Sequence, residues 1–115
     1  MHELSLADGI LRMVEEAATR EHFKHVATLR LECGELAGVQ VQALRFALDA
    51  IAPGTCLEGA EINIDEPPGR AWCDRCASEV LIDSRSDPCP QCNGYPVKIT
   101  GGGELRVIDL IVLND

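Results

Sequence analysis

The spacing of apolar residues along the chain predicts two helices and three strands. Apolar residues recur every three or four positions in 4–21 and again in 41–51, which indicates two amphipathic helices. Apolar and polar residues alternate in 25–33 and 60–66, as in half-buried strands. The segment 104–113 is apolar and β-branched, which predicts a third strand without indicating its buried face. The predicted inward positions of the helices are Leu6, Ile10, Met13, Val14 and Ala17, and Leu44, Ala47, Leu48 and Ile51.

A change of composition separates a short module from these elements. Four of the six cysteines and the only Trp and Tyr lie within 70–98, between the sequences PPG and GGG. We therefore predict an α/β fold, with a small two-layer domain of two helices on a three-stranded sheet. This domain comprises 1–66 plus 104–115, and a zinc-ribbon-like module at 70–98 is inserted before its last strand.

The four cysteines of the module are the strongest chemical signal. Cys73 and Cys76 form one CxxC pair, Cys89 and Cys92 form a second, and twelve residues separate the pairs. Each CxxC forms a tight knuckle, and a short hairpin between the knuckles would let four thiolates surround one Zn²⁺. A module of this size cannot bury a sufficient core, so metal binding would be its main source of order.

Other uses of these cysteines are less consistent with the pattern. Neither CxxC lies at a strand-to-helix junction, as redox motifs of the thioredoxin type do. Two disulfides would be unusual in a cytoplasmic chain, and a catalytic zinc needs an open coordination position that four thiolates do not leave. The residue after each knuckle commonly has positive φ, which Asn93 tolerates well and Ala77 does not. The second knuckle is therefore predicted to be regular, and the geometry of the first is left open. The isolated Cys33 and Cys56 are predicted to be buried structural thiols.

The charge pattern argues against polyanionic partners. The net charge is −9, and within 70–98 the four basic residues are balanced by four acidic ones. Nucleic acid and anionic membrane surfaces both require clustered Lys and Arg, so neither is expected as a partner. The sequence has neither a secretory signal pattern nor an apolar run of membrane-spanning length, so a cytoplasmic location is expected.

The chain as a whole resembles the HypA/HybF family of nickel metallochaperones. The resemblance rests on the opening MHELSL, on LRLECGEL and ALRFALDAIAPGT, and on AWCDRC and CPQC before a terminal apolar strand. It implies a protein that is not an enzyme and that carries Ni²⁺ for the maturation of [NiFe]-hydrogenase. It also implies cooperation with the GTPase HypB and delivery to the hydrogenase large subunit. Supply to urease and the oligomeric state, including a homodimer, stay open.

The resemblance gives the opening MHE a chemical meaning. The α-amine of Met1, the backbone nitrogen and imidazole of His2, and the backbone nitrogen of Glu3 or another donor would form a nearly planar nitrogen set. Square-planar nitrogen ligation suits Ni²⁺, whereas Zn²⁺ has no preference for a plane. Methionine is expected to be retained before a residue as large as His2. Without the resemblance, the same residues would be interpreted as a frayed helix start.

Two further functions compete with nickel delivery. The main alternative is a zinc-ribbon adaptor for protein interactions that transports no metal, and a redox thiol enzyme ranks third. The adaptor predicts that no nickel binds through the N-terminus, whereas the nickel hypothesis assigns Ni²⁺ to His2 with Met1 and Glu3. Both assign structural Zn²⁺ to Cys73, Cys76, Cys89 and Cys92.

Overall fold

A computed structural model describes residues 2–95 and 97–113. It contains two α-helices, one short 3-10 helix and six strands. In chain order these are α1 (His2–Glu21), β1 (Val26–Cys33), the 3-10 helix (Glu35–Ala37), α2 (Val41–Ile51), β2 (Glu61–Asp65), β3 (Gly69–Cys73), β4 (Ser78–Ile82), β5 (Val97–Gly101) and β6 (Leu105–Val112). The strands form two sheets of three, in the orders β2-β1-β6 and β4-β3-β5.

The mixed α/β fold predicted from the sequence is confirmed. Both predicted helices and all three predicted strands are present, and α2 has the predicted bounds. The module holds a second three-stranded sheet, whereas the sequence predicted only a short hairpin there. Neither α-helix in the described part of the chain is long and apolar enough to cross a bilayer.

One residue of α1 that was predicted to face the core is exposed. Ala7, Ile10, Leu11 and Val14 are buried, but Met13 is 56% exposed. Successive helical residues are rotated by about 100°, so Met13 lies about a quarter-turn or more from the line joining the buried residues. The prediction that Met13 faces the core was therefore wrong.

Strand β1 and helix α2 bury most of their predicted inward positions, while Ala27 and Ile51 are only half-buried. Leu29, Leu31 and Cys33 of β1 are buried together with Leu44, Ala47 and Leu48 of α2. The guanidinium of Arg45 donates to the carbonyl oxygen of Ile62 at 2.6 Å, which links α2 to β2. Strand β6 alternates between half-buried and exposed residues and has no fully buried position.

Contacts divide the chain into two compact units. One comprises Met1–Leu31, Val39–Ile64 and Val107–Asp115, and the other comprises Glu32–Gly38 and Asp65–Arg106. We call the second unit, which contains both CxxC pairs, the cysteine-bearing unit. By its contacts, the segment 32–38 belongs to this unit. The domain bounds proposed from the sequence remain a prediction about which parts fold independently.

The cysteine-bearing unit has a small core built on its antiparallel sheet. Ala71 of the central strand β3 is paired with Val80 of β4 and Ile99 of β5. The buried side chains of this cluster are Leu36, Ala71, Cys73, Val80, Ile82 and Cys89. Two of the four candidate metal ligands therefore belong to the core that holds the sheet together.

Candidate metal centre

The first cysteine knuckle lies in the turn of a β-hairpin. Cys73 is the last residue of β3 and is paired with Ser78, the first residue of β4. Cys76 lies in the turn between them, and Ala77 has φ 49°. Although Ala is disfavoured in this left-handed conformation, the closure of the hairpin imposes it here. The sequence left the geometry of this knuckle open, and the structure gives it the conformation typical of CxxC knuckles.

The second knuckle is closed by backbone hydrogen bonds. The N–H of Asn93 donates to the carbonyl oxygen of Cys89 at 2.7 Å, and the N–H of Cys89 donates to that of Gly94 at 3.1 Å. Asn93 has φ 59°, the left-handed conformation predicted for it. In both knuckles the residue after the second cysteine thus has positive φ, although the knuckles are built from different elements.

The four sulfurs lie at distances that fit one tetrahedral ion. Cys73 Sγ is 3.7 Å from Cys92 Sγ, and Cys76 Sγ is 3.8 Å from Cys89 Sγ. All four ligand atoms lie within 4.8 Å of one another. Metal–sulfur distances of about 2.3 Å at a tetrahedral zinc place the sulfurs about 3.8 Å apart. A disulfide requires about 2.05 Å, so neither sulfur pair is bonded.

The environment of the sulfurs favours thiolate at one position first. Hydrogen bonding from the backbone N–H of Cys92 lowers the pKa of Cys89 to about 7. Hydrogen bonding with Cys92 raises the pKa of Cys76 to about 12, because the neighbouring sulfurs share the remaining protons. A cation bound among the four sulfurs would displace those protons. The donor set and its spacing therefore fit Zn²⁺, which Cys73, Cys76, Cys89 and Cys92 would hold.

The second candidate site lies at the start of α1. The His2 side chain is 62% exposed, and its Nδ1 lies 3.6 Å from Glu3 Oε2. The Glu3 carboxylate accepts a hydrogen bond from the backbone N–H of Gln40 at 3.1 Å, which lowers the pKa of Glu3. Gln40 is the N-cap of α2, so Glu3 links the starts of the two helices. The third predicted ligand, Met1, lies outside the described residues.

Sequence reasoning missed the role of Gln40. Its contribution is a backbone N–H, which any residue except proline would offer, so no side-chain pattern could have identified it. The backbone nitrogens of His2 and Glu3 lie in the first turn of α1, where N–H groups have no acceptor within the helix. The start of α1 therefore presents an exposed imidazole beside two backbone nitrogens without acceptors in the helix, of which the Glu3 N–H also donates to the Glu3 carboxylate.

The remaining cysteines and histidines lie apart from both candidate sites. Cys33 and Cys56 are buried, as predicted, and burial raises the pKa of each thiol. His22 follows α1 with φ 60° and is exposed, as is His25. Among the described residues, only the four cysteines form a group of three or more ligand side chains close enough to share an ion.

The comparison with protein families matches nearly the whole chain. The family described as "Hydrogenase/urease nickel incorporation, metallochaperone, hypA" matches residues 1–112. The chain belongs to the HypA family. The resemblance seen in the sequence motifs is thereby confirmed, and both candidate sites lie within the matched range.

Relatives in the HypA family align over almost their full length. The hydrogenase maturation factor HypA of Cupriavidus necator is 59% identical over 112 residues, covering 97% of this chain and 94% of its own. The protein of the same name from Polaromonas naphthalenivorans is 53% identical over 115 residues, covering all of both chains. The similarity of this HypA-family chain to these relatives therefore spans both candidate sites.

Solved HypA structures share the fold. The solution structure of the Ni metallochaperone HypA from Helicobacter pylori superimposes with a TM-score of 0.69 at 19% identity, covering 98% of each chain. A second solution structure, of a HypA protein, gives a TM-score of 0.72 at 21% identity, with 98% and 97% covered. At these identities the likeness establishes the fold of this HypA-family chain, and its site residues are argued from its own geometry.

Proposed function

We propose that this protein is a nickel metallochaperone, which binds Ni²⁺ at its N-terminus and helps to insert it into the large subunit of [NiFe]-hydrogenase. The observation that carries the proposal is the placement of His2 and Glu3 in the first turn of α1, in a chain of the HypA family. The description of the family and the name of the Helicobacter pylori protein both refer to nickel.

The nickel ligands are proposed from the donors at the start of α1. The Met1 α-amine, the backbone nitrogen and imidazole of His2, and the backbone nitrogen of Glu3 would supply four nitrogens. Four nitrogens near one plane suit Ni²⁺. A positive ion at a helix N-terminus is disfavoured by the helix dipole, and deprotonation of the backbone nitrogens would offset this. The ligands must lose protons on binding, so affinity would fall as pH falls.

Glu3 has a separate role in this proposal. Because its carboxylate already accepts the N–H of Gln40, it would fix the first turn of α1 against the start of α2. The backbone nitrogen of Glu3, rather than its side chain, would then be the nickel donor. A fixed first turn would present the donors of His2 in one arrangement and reduce the ordering needed on binding.

Zn²⁺ has a structural role in the proposed function. The four sulfurs leave no open coordination position, so the chemistry supplied by the ion is cross-linking of the two knuckles. The proposed protein is therefore a carrier and not an enzyme. We propose that it acts in the cytoplasm, with the GTPase HypB and the hydrogenase large subunit as partners.

Nickel titration of matched histidine variants tests the proposal. His2→Ala should lose high-affinity nickel binding in isothermal titration, whereas His22→Ala, which changes another exposed histidine next to α1, should retain it. Zinc content should be one ion per chain in both variants. Nickel binding by His2→Ala at the affinity of the unaltered protein would contradict the proposal. It would favour the adaptor alternative, in which the terminus transports no metal.

A further inference from the structure

Three backbone segments of the cysteine-bearing unit, at Gly34, Pro68 and Gly102, pack closely against one another. A Cβ on Gly34 would lie 2.1 Å from the carbonyl oxygen of Gly102, and one on Gly102 would lie 2.3 Å from that of Pro68. Gly102 also has φ 75°, which favours glycine. We call the residues Gly34–Ala37 and Gly102–Glu104 the crossing. At Gly34 and Gly102 the packing of the backbone leaves no space for a Cβ.

Backbone hydrogen bonds join the two sides of the crossing. The N–H of Gly34 donates to the carbonyl oxygen of Glu104 at 3.0 Å, and the N–H of Leu36 donates to that of Gly102 at 2.8 Å. The chain leaves the cysteine-bearing unit just beyond these residues, after Gly38 and after Arg106. The crossing therefore lies next to two of the points at which the chain passes out of the cysteine-bearing unit.

One side chain holds both sides of the crossing at once. Arg85 Nε donates to the carbonyl oxygen of Leu36 at 3.0 Å, and Arg85 Nη2 donates to that of Gly103 at 2.8 Å. A guanidinium donates in two fixed directions and keeps its charge, so these two bonds are charge-assisted and geometrically specific. A lysine ammonium at the same position could not reproduce the planar fork.

The loop that carries Arg85 is held by the second cysteine knuckle. Asp87 Oδ2 accepts the N–H groups of Asp83 and Ser84 at 3.0 and 3.1 Å, which closes the turn around Arg85. Tyr95 Oη donates to the carbonyl oxygen of Ser86 at 2.9 Å. Cys89 follows this turn and Tyr95 follows the knuckle, so the knuckle anchors the part of the loop after Arg85, whereas β4 ends just before the loop.

The core provides a second connection between the crossing and the cysteines. Leu36 is buried in the same cluster as Cys73 and Cys89, and Cys76 and Cys92 pack against that cluster. A Cβ on Gly69 would lie 2.6 Å from Leu36 Cγ, so the Leu36 side chain fills this space closely. The backbone of Leu36 is thus held by Gly102 and Arg85, and its side chain lies in the core cluster that includes Cys73 and Cys89.

From these contacts we infer that Arg85 couples occupancy of the four-cysteine site to order in the crossing. With zinc bound, the second knuckle fixes the loop and Arg85 holds Leu36 and Gly103 together. Without zinc, the knuckle and loop lose their anchor, and the crossing opens more often. The inference rests on the proposed zinc site, but it does not depend on nickel binding.

Hydrogen exchange of the full chain tests this coupling. The probe is the amide of Leu36, compared between the zinc-loaded and chelator-stripped protein, with zinc content measured on each sample. Stripping should accelerate exchange at Leu36 in the unaltered protein. In zinc-loaded Arg85→Lys, exchange at Leu36 should be about tenfold faster than in the unaltered protein, since a charge-assisted hydrogen bond is lost.

Two further variants make the test independent of misfolding. Arg70→Lys alters another arginine of this unit, which pairs with Glu79 on the sheet, and should leave exchange at Leu36 unchanged. Tyr95→Phe removes only the hydroxyl that holds the Arg85 loop, and should accelerate exchange while zinc is retained. If Arg85→Lys does not fold, exchange at Leu36 in Tyr95→Phe tests the coupling instead.

Each contrary result has a separate meaning. Unaltered protection of Leu36 in zinc-loaded Arg85→Lys, or in Tyr95→Phe where the first variant fails to fold, overturns the coupling through Arg85. Unaltered protection after complete stripping of zinc overturns the dependence on the metal. Absence of zinc from the purified, unaltered protein would instead overturn the proposed zinc site, which metal analysis distinguishes from the other two results.

Discussion

The Glu3 carboxylate accepts a hydrogen bond from the backbone N–H of Gln40, joining the first turn of α1 to the N-cap of α2 at 3.1 Å. This contact connects the two helices at the end of the protein where nickel is proposed to bind. Gln40 provides no side-chain cap for its own helix, so Glu3 supplies a hydrogen-bond acceptor to the start of α2 from another element. The first turn of α1 is thus tied to the start of α2 through Glu3.

Replacing Glu3 should make the thermal stability less dependent on pH. The folded protein lowers the pKa of Glu3 from its ordinary value of 4.5. The carboxylate therefore contributes stability above about pH 4.5, and this is lost as pH falls through the lowered pKa. Glu3→Gln should melt at a lower temperature than the unaltered protein at pH 7, and the difference should shrink toward pH 3. Glu16→Gln, at an exposed position of the same helix, is the control.

Replacing Ala77 by glycine should stabilise the cysteine-bearing unit. Ala77 has φ 49°, and this conformation costs about 1–2 kcal/mol for a residue with a Cβ. The added freedom of glycine in the unfolded chain returns about 0.4–1 kcal/mol of that, so a gain of about 1 kcal/mol is expected. Urea unfolding of the zinc-loaded protein measures it. Ala43→Gly, on the exposed side of α2, should instead destabilise the protein by about 0.5–1 kcal/mol.

The sequence could not foresee the conformation of Ala77, but it contained signals for strands that were overlooked. Propensity disfavours alanine at positive φ, and only the closed hairpin overrides it. In contrast, GRAWC and SEVLI alternate between buried and exposed residues, as strands do. Their short length, next to prominent cysteine knuckles, hid this pattern. Both helices and the strands β1, β2 and β6 were predictable because their periodic segments are longer or bounded by clear turn residues.

The close packing of the glycines also lay beyond sequence reasoning. GGG indicated only the end of the module, because glycine is common wherever the chain turns. The crossing shows instead that Gly34 and Gly102 allow two backbones to meet, which depends on residues far apart in sequence. In contrast, the spacing of the cysteines did predict that four sulfurs would converge, because each CxxC pair is a local feature of the sequence. The contact between Glu3 and Gln40 joins residues far apart in the chain and could not be predicted in this way.

Adding one methyl group at Gly34 should destabilise the protein. The new Cβ would lie 2.1 Å from the Gly102 carbonyl oxygen, which is backbone and cannot rotate away. Overpacking of this kind costs about 1–3 kcal/mol. Gly34→Ala should therefore unfold at lower urea concentration. Gly9→Ala, whose Cβ would meet nothing within 4 Å, should stabilise α1 by about 0.5–1 kcal/mol. Equal stability of the two variants would contradict the close packing of the crossing.

Removing zinc should loosen the cysteine-bearing unit and leave the other unit largely intact. The only tryptophan, Trp72, adjoins Cys73 and donates to Asp74 at 2.9 Å, so its fluorescence reports on the cysteine-bearing unit. A strong chelator should change this fluorescence, because a metal bound by the four cysteines would be the unit's main source of order. The helical circular dichroism signal of α1 and α2 should change little. Loss of both signals together would show that the two units do not fold separately.

The central claim is that the chain's first residues hold nickel through backbone and side-chain nitrogens. The most direct measurement compares the unaltered protein with a variant carrying two extra residues ahead of Met1, with nickel and zinc determined separately. The extension removes the α-amine from its place beside His2 and leaves every side chain unchanged. We predict that nickel binding is lost or its absorption spectrum altered, while zinc content and circular dichroism are retained. Unchanged nickel affinity together with an unchanged spectrum would contradict the proposed terminal chelate.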